Sequence, residues 1–196
     1  MWVVKLGGSL ASDPALLRRW AEALAADGAG KAVIVPGGGP FADRVRELQA
    51  SLGFADAVAH RMAILAMEQF GLLLAGLAPA LTPVDSEDGI REALRRGGVP
   101  VWLPAAMTLG NREIPESWDV SSDSLAAWLA RRLDADQLVL VKSCAVPYGK
   151  AAPEELKRLG IVDAAFPDFV RGTGFPVLAL SSQDHEAFRA MLPKVL

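Results

Sequence analysis

The feature that most constrains the fold is a pair of short apolar segments, each followed by a glycine-rich turn. Residues 2–6 lead into Gly7-Gly8-Ser9, and residues 31–35 lead into Pro36-Gly37-Gly38-Gly39-Pro40. Short apolar runs bounded by turn residues predict strands buried on both faces of a parallel sheet. Glycine lets the backbone approach a ligand closely, and its N–H groups can bind phosphate oxygens. The two turns therefore predict a ligand site at the carboxyl ends of parallel strands.

The rest of the chain alternates strands with helices, and no repeat or linker interrupts the pattern. Further strands are predicted at 99–103, 137–142 and 177–181. Helices are predicted at about 14–28, 41–51, 56–77, 153–159, and from residues 121 and 184, whereas residues 108–117 predict a loop or hairpin. This order predicts a three-layer αβα sandwich with a mostly parallel central sheet. We expect a single domain over residues 1–196.

Composition argues against several function classes. The 196 residues are 52% hydrophobic and 22% charged, which is typical of a globular domain. A net charge of -3 gives no reason to expect a nucleic-acid or anionic-membrane partner. The most hydrophobic region, residues 70–84, is broken by glycine and proline and is too short to span a bilayer. With a single cysteine and no signal-peptide pattern at the N-terminus, a cytoplasmic location is expected.

Two polar features interrupt the apolar pattern. Lys5 lies inside the first predicted strand, where burial of a cation is costly unless it meets an anion. It is either a solvated strand end or a cation aimed at a transferring phosphoryl group. Ser121-Ser122-Asp123 opens a helix, and simple N-capping explains only one of these three residues. Neither glycine turn has the spacing of a Walker loop or of a dinucleotide-binding fingerprint.

Four segments together resemble the signatures of the amino acid kinase superfamily, which includes acetylglutamate, aspartate, uridylate and isopentenyl phosphate kinases. They are Lys5-Leu6-Gly7-Gly8-Ser9, Gly37-Gly38-Gly39, Ser121-Ser122-Asp123-Ser124-Leu125-Ala126 and Leu138-Val139-Leu140-Val141-Lys142. Their order and spacing match that superfamily from residue 1 to about residue 150. The resemblance implies that residues 1–115 bind the acceptor and residues 116–196 the nucleotide.

The resemblance also implies roles for individual residues. Lys5 would stabilise the transferring phosphoryl group, and Asp123 would orient this catalytic lysine. ATP with Mg²⁺ would be the donor and a small phosphate or carboxylate the acceptor, with Lys142 and Ser143 beside the nucleotide; no resident metal site is predicted. Phosphate and acceptor binding is assigned to the turn and helix-start residues Gly7, Gly8, Ser9, Gly37, Gly38, Gly39, Ser121 and Ser122.

Within the superfamily, residues 36–46 and 117–124 resemble the [5-(aminomethyl)furan-3-yl]methyl phosphate kinase branch. That branch converts its acceptor to the diphosphate in methanofuran-type cofactor synthesis, and relatives occur in bacteria that oxidise one-carbon compounds. A uridylate kinase-like enzyme and a non-catalytic kinase-fold subunit that binds a nucleotide or metabolite are the alternatives.

Two departures from the superfamily pattern concern the nucleotide half. Residues 143–149 contain no acid where relatives carry an acidic residue followed by glycine. The segment that supplies a second catalytic lysine in some relatives is also missing. Lys142, Lys150 or Arg171 could supply this second cation, and the sequence does not choose among them.

Three residues near the predicted acceptor site have two interpretations each. Asp43 either pairs with the helix dipole, Arg44 or Arg46, or it binds a cation on the acceptor. His60 and Arg61 face solvent or a subunit partner, or they bind the acceptor. The long helix that carries them is apolar over much of its surface, which predicts a homodimer or larger homo-oligomer with this helix at the interface.

Overall fold

The computed structural model describes residues 1–146 and 152–193, and within them six strands form one sheet. The strand order is β3-β4-β2-β1-β5-β6, and every pairing is parallel. The predicted parallel sheet is confirmed. The strands are β1 (Trp2–Leu6), β2 (Ala32–Pro36), β3 (Leu81–Val84), β4 (Val99–Trp102), β5 (Gln137–Lys142) and β6 (Val177–Ser181).

Helices cover both faces of the sheet, which confirms the three-layer αβα sandwich. Adjacent strand residues point to opposite faces, so Val3 packs into one hydrophobic core and Val4 into the other. The helices are α1 (Pro14–Asp27), α2 (Gly39–Leu52), α3 (Asp56–Ala75), α4 (Glu87–Arg95), α5 (Ala105–Thr108), α6 (Ser122–Arg132), α7 (Pro153–Arg158), α8 (Phe166–Val170) and α9 (His185–Met191), with a 3₁₀ turn at Gly8–Ser12.

The strand register brings the predicted site residues to one edge of the sheet. Leu6, at the end of β1, lies opposite Pro36 of β2 and Val141 of β5. Both glycine turns and Lys142 therefore leave the sheet side by side at its carboxyl edge. Ligands of open α/β sheets bind outside this edge.

Two elements in the middle of the chain depart from the sequence prediction. β3 contains Pro83, and α4 buries only Ile90 in a hydrophobic core, so neither has a strong apolar repeat. β3 pairs only with β4, and an edge strand tolerates a proline because one side needs no ladder hydrogen bond. Residues 109–117 contain turns and no hairpin, with Asn111 N–H donating to Thr108 O at 3.1 Å.

α3 is long and apolar enough, by length and composition alone, to cross a membrane. In this fold it contacts β2, β3 and β4, and Phe70 and Leu74 are buried in a hydrophobic core. Val58, Leu65, Leu72 and Leu73 are instead exposed. α3 is therefore a core helix that also presents apolar side chains outward.

Candidate active site

Two lysines share one aspartate at the carboxyl edge of the sheet. Lys5 Nζ lies 2.9 Å from Asp123 Oδ1, and Lys142 Nζ donates to Asp123 Oδ2 at 2.6 Å. The side chains of Lys5 and Asp123 are each 6% exposed, and that of Lys142 is 11% exposed. We call Lys5, Asp123 and Lys142 the lysine–aspartate cluster. With both lysines protonated it carries one net positive charge in a nearly buried position, which suits binding of an anion.

The pKa values of the cluster reflect burial opposed by ion pairing. Burial alone would raise the pKa of Asp123, but the charges of Lys5 and Lys142 hold it below its ordinary value. For Lys142, burial and then repulsion by Lys5 outweigh the attraction of Asp123 and lower its pKa from 10.5 to about 8. Asp123 is therefore ionised near neutral pH and serves as a counter-ion. It is poorly suited to accept a proton.

Lys5 and Asp123 form an ion pair in which both side chains are nearly buried. Lys5 also lines the neighbouring cavity. The ammonium protons of Lys5 can therefore bind a ligand there while Asp123 balances its charge.

Of the three candidates for the second cation, Lys142 lies in the lysine–aspartate cluster. Arg171 instead pairs with Asp168 at 2.7 Å, and both side chains are exposed. Lys150 lies outside the described residues. Ser143, predicted beside the nucleotide, accepts a hydrogen bond from Ser9 Oγ at 2.8 Å. The two strand ends are thus linked next to Lys142.

The first turn of α6 positions Asp123, and it is fastened by a residue that the sequence analysis missed. Ser121 is the N-cap, and its hydroxyl faces the amide of Asp123 at 3.4 Å. Asp163 Oδ2 accepts from Ser121 N, Ser121 Oγ and Ser124 N at 2.7–3.0 Å, and its Oδ1 accepts from Ser124 Oγ at 2.5 Å. Asp163 follows Ile161-Val162 in a connecting segment, so no local sequence pattern indicates this role.

The glycine loops, residues 7–9 and 37–39, touch each other through their backbones. A Cβ added to Gly8 would lie 2.1 Å from Gly39 N, and one added to Gly37 would lie 2.3 Å from Gly8 N. Real Cβ atoms do not approach other atoms this closely, so these positions require glycine. Gly39 also has a positive φ of 56°. Gly7 is held by the sheet, since its N–H donates to Val141 O at 3.1 Å.

A cavity of about 270 Å³ lies between the glycine loops, α3 and the start of α6. Most of the predicted acceptor-site residues meet there. Its lining includes Lys5, Gly8, Ser9, Gly38, Gly39, Asp43, His60, Ser121 and Ser122. Hydrophobic side chains from α3 and α6 complete the wall, among them Ile64, Met67 and Leu125. The cavity can therefore hold the phosphate of a small acceptor beside Lys5 and its apolar body against the helices.

Of the two ambiguous residues on α3, His60 lies at the cavity and Arg61 does not. Arg61 Nε donates to Glu116 Oε1 at 2.8 Å on the surface. His60 is buried, its Nδ1 lies 3.0 Å from Ser117 O, and its Nε2 has no partner among the described residues. A contact with a carbonyl oxygen assigns the proton to Nδ1. Burial lowers the pKa of His60, which favours the neutral ring and leaves Nε2 as a hydrogen-bond acceptor.

Asp43 lies at the cavity with an exposed ion-pair partner. Its Oδ1 accepts from Arg46 Nη1 at 3.0 Å, and its side chain is 69% exposed. Arg46 also stacks on the ring of Trp118, with its guanidinium carbon 4.6 Å from the ring centroid. Arg44 pairs with Glu47 instead. The predicted pairing of Asp43 with Arg46 is confirmed, and the prediction that it binds an acceptor cation stays a prediction.

Among the described residues, no group of three His, Cys, Asp or Glu side chains lies close enough to hold a metal ion. The carboxylates of Asp123 and Asp163 are already occupied by lysine, serine and amide partners.

Comparison with known proteins agrees with this geometry. Residues 1–145 match the sequence model described as the amino acid kinase family. The chain belongs to that family. It is 28% identical over 176 residues to the [5-(aminomethyl)furan-3-yl]methyl phosphate kinase of Methanocaldococcus jannaschii, covering 85% of this chain and 81% of that protein. It is 33% identical over 178 residues to a uridylate kinase of Halorubrum lacusprofundi, covering 79% and 68%.

A solved structure confirms the fold independently. The chain superposes on the uridylate kinase of Archaeoglobus fulgidus with a TM-score of 0.69, 16% sequence identity and coverage of 97% of this chain and 95% of that one. Family membership and the two kinase relatives identify the chain as a small-molecule kinase, a phosphotransferase.

Proposed function

We propose that this kinase transfers a phosphoryl group from ATP to [5-(aminomethyl)furan-3-yl]methyl phosphate, forming the diphosphate, in methanofuran-type cofactor synthesis in the cytoplasm. The observation that carries the proposal is that one cavity combines a phosphate site with hydrogen-bond acceptors. Lys5 and the glycine loops suit the phosphate, while His60 Nε2 and the Asp43 carboxylate suit an ammonium group. The M. jannaschii relative, which carries this name, supports the choice.

The reaction needs positioning and charge stabilisation more than proton transfer. An oxygen of the acceptor phosphate attacks the γ-phosphorus of ATP, and the bond from that phosphorus to the ADP oxygen breaks. Negative charge spreads over the transferring group, and fixed cations aimed at it lower the barrier. Lys5 would act from the acceptor side and Lys142 from the nucleotide side, because Asp123 holds one on each carboxylate oxygen. Mg²⁺ on the ATP phosphates would neutralise further charge.

Uridylate kinase activity is the second candidate, supported by the H. lacusprofundi relative at 33% identity. The cavity of about 270 Å³ argues for a smaller acceptor, since ligand pockets commonly run from about 300 to 1,000 Å³. A non-catalytic subunit is the third, and the intact lysine–aspartate cluster argues against it.

ADP release separates the three candidates. The purified chain with ATP and Mg²⁺ should release ADP rapidly with the aminomethylfuran phosphate and slowly with UMP or with no acceptor. Faster release with UMP would establish the second candidate. Release at the acceptor-free rate with every phosphate monoester and carboxylate tested would establish the third.

We also propose a homodimer or larger assembly formed through α3. Val58, Leu65, Leu72 and Leu73 leave apolar surface exposed on this helix, and a second copy of the helix would cover it. Light scattering at micromolar concentration should give at least twice the mass of 20.7 kDa. A mass equal to that of the single chain would contradict the proposal.

A further inference from the structure

We infer that Asp163 is a positioning residue for phosphoryl transfer: its carboxylate fixes the first turn of α6 so that Asp123 holds Lys5 and Lys142 at the reacting group. The inference rests on the proposed phosphotransfer at this site. Asp163 does not contact the cavity, and its action passes through the turn that carries Asp123.

The first support is the number and direction of the bonds to Asp163. Four hydrogen bonds of 2.5–3.0 Å join its two oxygens to the amides and hydroxyls of Ser121 and Ser124. Asp123 lies between these two serines in the chain. Bonds to Ser121 on one side and Ser124 on the other fix the direction in which the Asp123 side chain leaves the helix.

The second support is a further contact between the segment that carries Asp163 and the segment that carries Asp123. Ala165 N–H donates to Asp119 O at 2.9 Å, and α8 packs against α6. Residues 163–165 therefore run alongside residues 119–124. The first turn of α6 is thus held by tertiary contacts from a segment about 40 residues later in sequence.

The third support is electrostatic. A carboxylate at a helix N-terminus is favoured by the helix dipole and satisfies amides that have no partner within the helix. Asp163 also raises the pKa of Lys142 against the lowering caused by burial. Since Lys5, Lys142 and Asp123 carry one net positive charge, a second carboxylate nearby reduces the repulsion between the lysines. Asp163 thus serves both the position and the charge of the cluster.

The test replaces Asp163 by asparagine in the full-length chain. Asp163→Asn keeps the shape of the side chain but replaces one of its acceptor oxygens by an NH2 group. That group would face N–H or O–H donors and could not accept their hydrogen bonds. We expect kcat to fall about 100-fold, as a displacement of about 1 Å at a reacting centre can produce. The KM for the aminomethylfuran phosphate should change much less than kcat, because Asp163 itself does not line the cavity. Asp168→Asn, which affects an exposed ion pair on α8, is the matched control and should keep wild-type kcat.

A second measurement needs no substrate and so separates this inference from the proposed function. The lysines are labelled by reductive ¹³C-methylation, and NMR follows the titration of Lys142, assigned with Lys142→Arg. In Asp163→Asn the Lys142 midpoint should move to lower pH than in the wild type. A shifted midpoint together with the loss of kcat on a different acceptor would leave the inference standing and contradict the proposed acceptor.

A milder variant guards against misfolding. Ser124→Ala removes one of the four bonds and keeps the charge of Asp163. It should lower kcat about tenfold and move the Lys142 midpoint in the same direction by a smaller amount. Wild-type kcat and an unchanged Lys142 midpoint in both Asp163→Asn and Ser124→Ala would overturn the inference.

Discussion

The two sides of the active site are built in different ways. On one side, the glycine loops meet backbone to backbone, so that a single methyl group at Gly8 would collide with Gly39. On the other side, charged side chains from β1, β5, α6 and a distant connecting segment hold one another. Steric contact between backbones therefore determines the geometry of the first side, which we call the steric side, and ion pairing determines that of the second, the charge side. We expect substitutions on the two sides to lower activity for different physical reasons.

The largest effect should come from the residue shared by both sides. Lys5 lines the acceptor cavity and belongs to the lysine–aspartate cluster. Lys5→Ala should lower kcat by about two to three orders of magnitude, the usual cost of losing a preorganised charge-stabilising group. Lys142 still pairs with Asp123 in this variant, so the fold should persist by circular dichroism. Turnover near the wild-type level would remove Lys5 from the mechanism.

The steric side is tested by adding one methyl group. Gly8→Ala should force the two loops apart, lowering kcat/KM about 100-fold and the free energy of unfolding by about 1–3 kcal/mol. Gly174→Ala is the control, because a Cβ there meets nothing within 4 Å. Chemical denaturation and steady-state kinetics on both variants check the result. Equal behaviour of the two would show that the loop contact is not needed.

The charge side is tested by pH. Lys142 has a pKa of about 8, so it loses its proton, and with it its positive charge, as pH rises through that value. If the ammonium form stabilises the transferring group, kcat/KM for ATP should fall about tenfold per pH unit above about pH 8. Arginine stays protonated over this range, so Lys142→Arg should lack this fall. If kcat/KM for ATP fell in the same way at high pH in the wild type and in Lys142→Arg, the titrating group would be one other than Lys142.

The smallest effect is expected at the exposed rim of the cavity. Asp43→Asn should raise the KM for the aminomethylfuran phosphate about tenfold, since a hydrogen bond to a charged group contributes about 1.5–3 kcal/mol and exposure weakens it. The KM for an analogue with a methyl group in place of the aminomethyl group should stay within twofold.

Glu47→Gln controls for the loss of a surface charge on the same helix, because Glu47 pairs with Arg44 away from the cavity lining. If Asp43→Asn raised the KM for both acceptors by the same factor, the role of Asp43 would be structural and it would not bind the amine.

The steric side was largely predictable from sequence, since its elements are local. β1 has the predicted bounds, as do β5 and β6 elsewhere in the sheet, and the glycine turns follow β1 and β2 as expected. β3 and α4 were missed because an edge strand with Pro83 and a short polar helix carry little apolar periodicity. β3 completes one edge of the sheet, and no residue of β3 or α4 lines the cavity.

The charge side was predictable only in part. Lys5, Asp123 and Lys142 were named from their segments, yet their meeting at one carboxylate required the packing of β5 beside β1. Asp163 gave no signal, because its partners lie about 40 residues earlier and its own neighbours form no periodic pattern. Contacts between distant segments are what a single sequence conveys least.

Burial and the charge of Lys5 also make Lys142 a nucleophile under mild conditions. At pH 8 about half of its amines carry no proton, whereas an ordinary lysine with a pKa of 10.5 is almost fully protonated. Amine-directed acylating reagents small enough to reach a side chain that is 11% exposed would thus mark this position ahead of the surface. A phosphate bound beside Lys142 would restore the proton and suppress the reaction. On the proposed role of Lys142 beside the nucleotide, loss of labelling would report nucleotide occupancy.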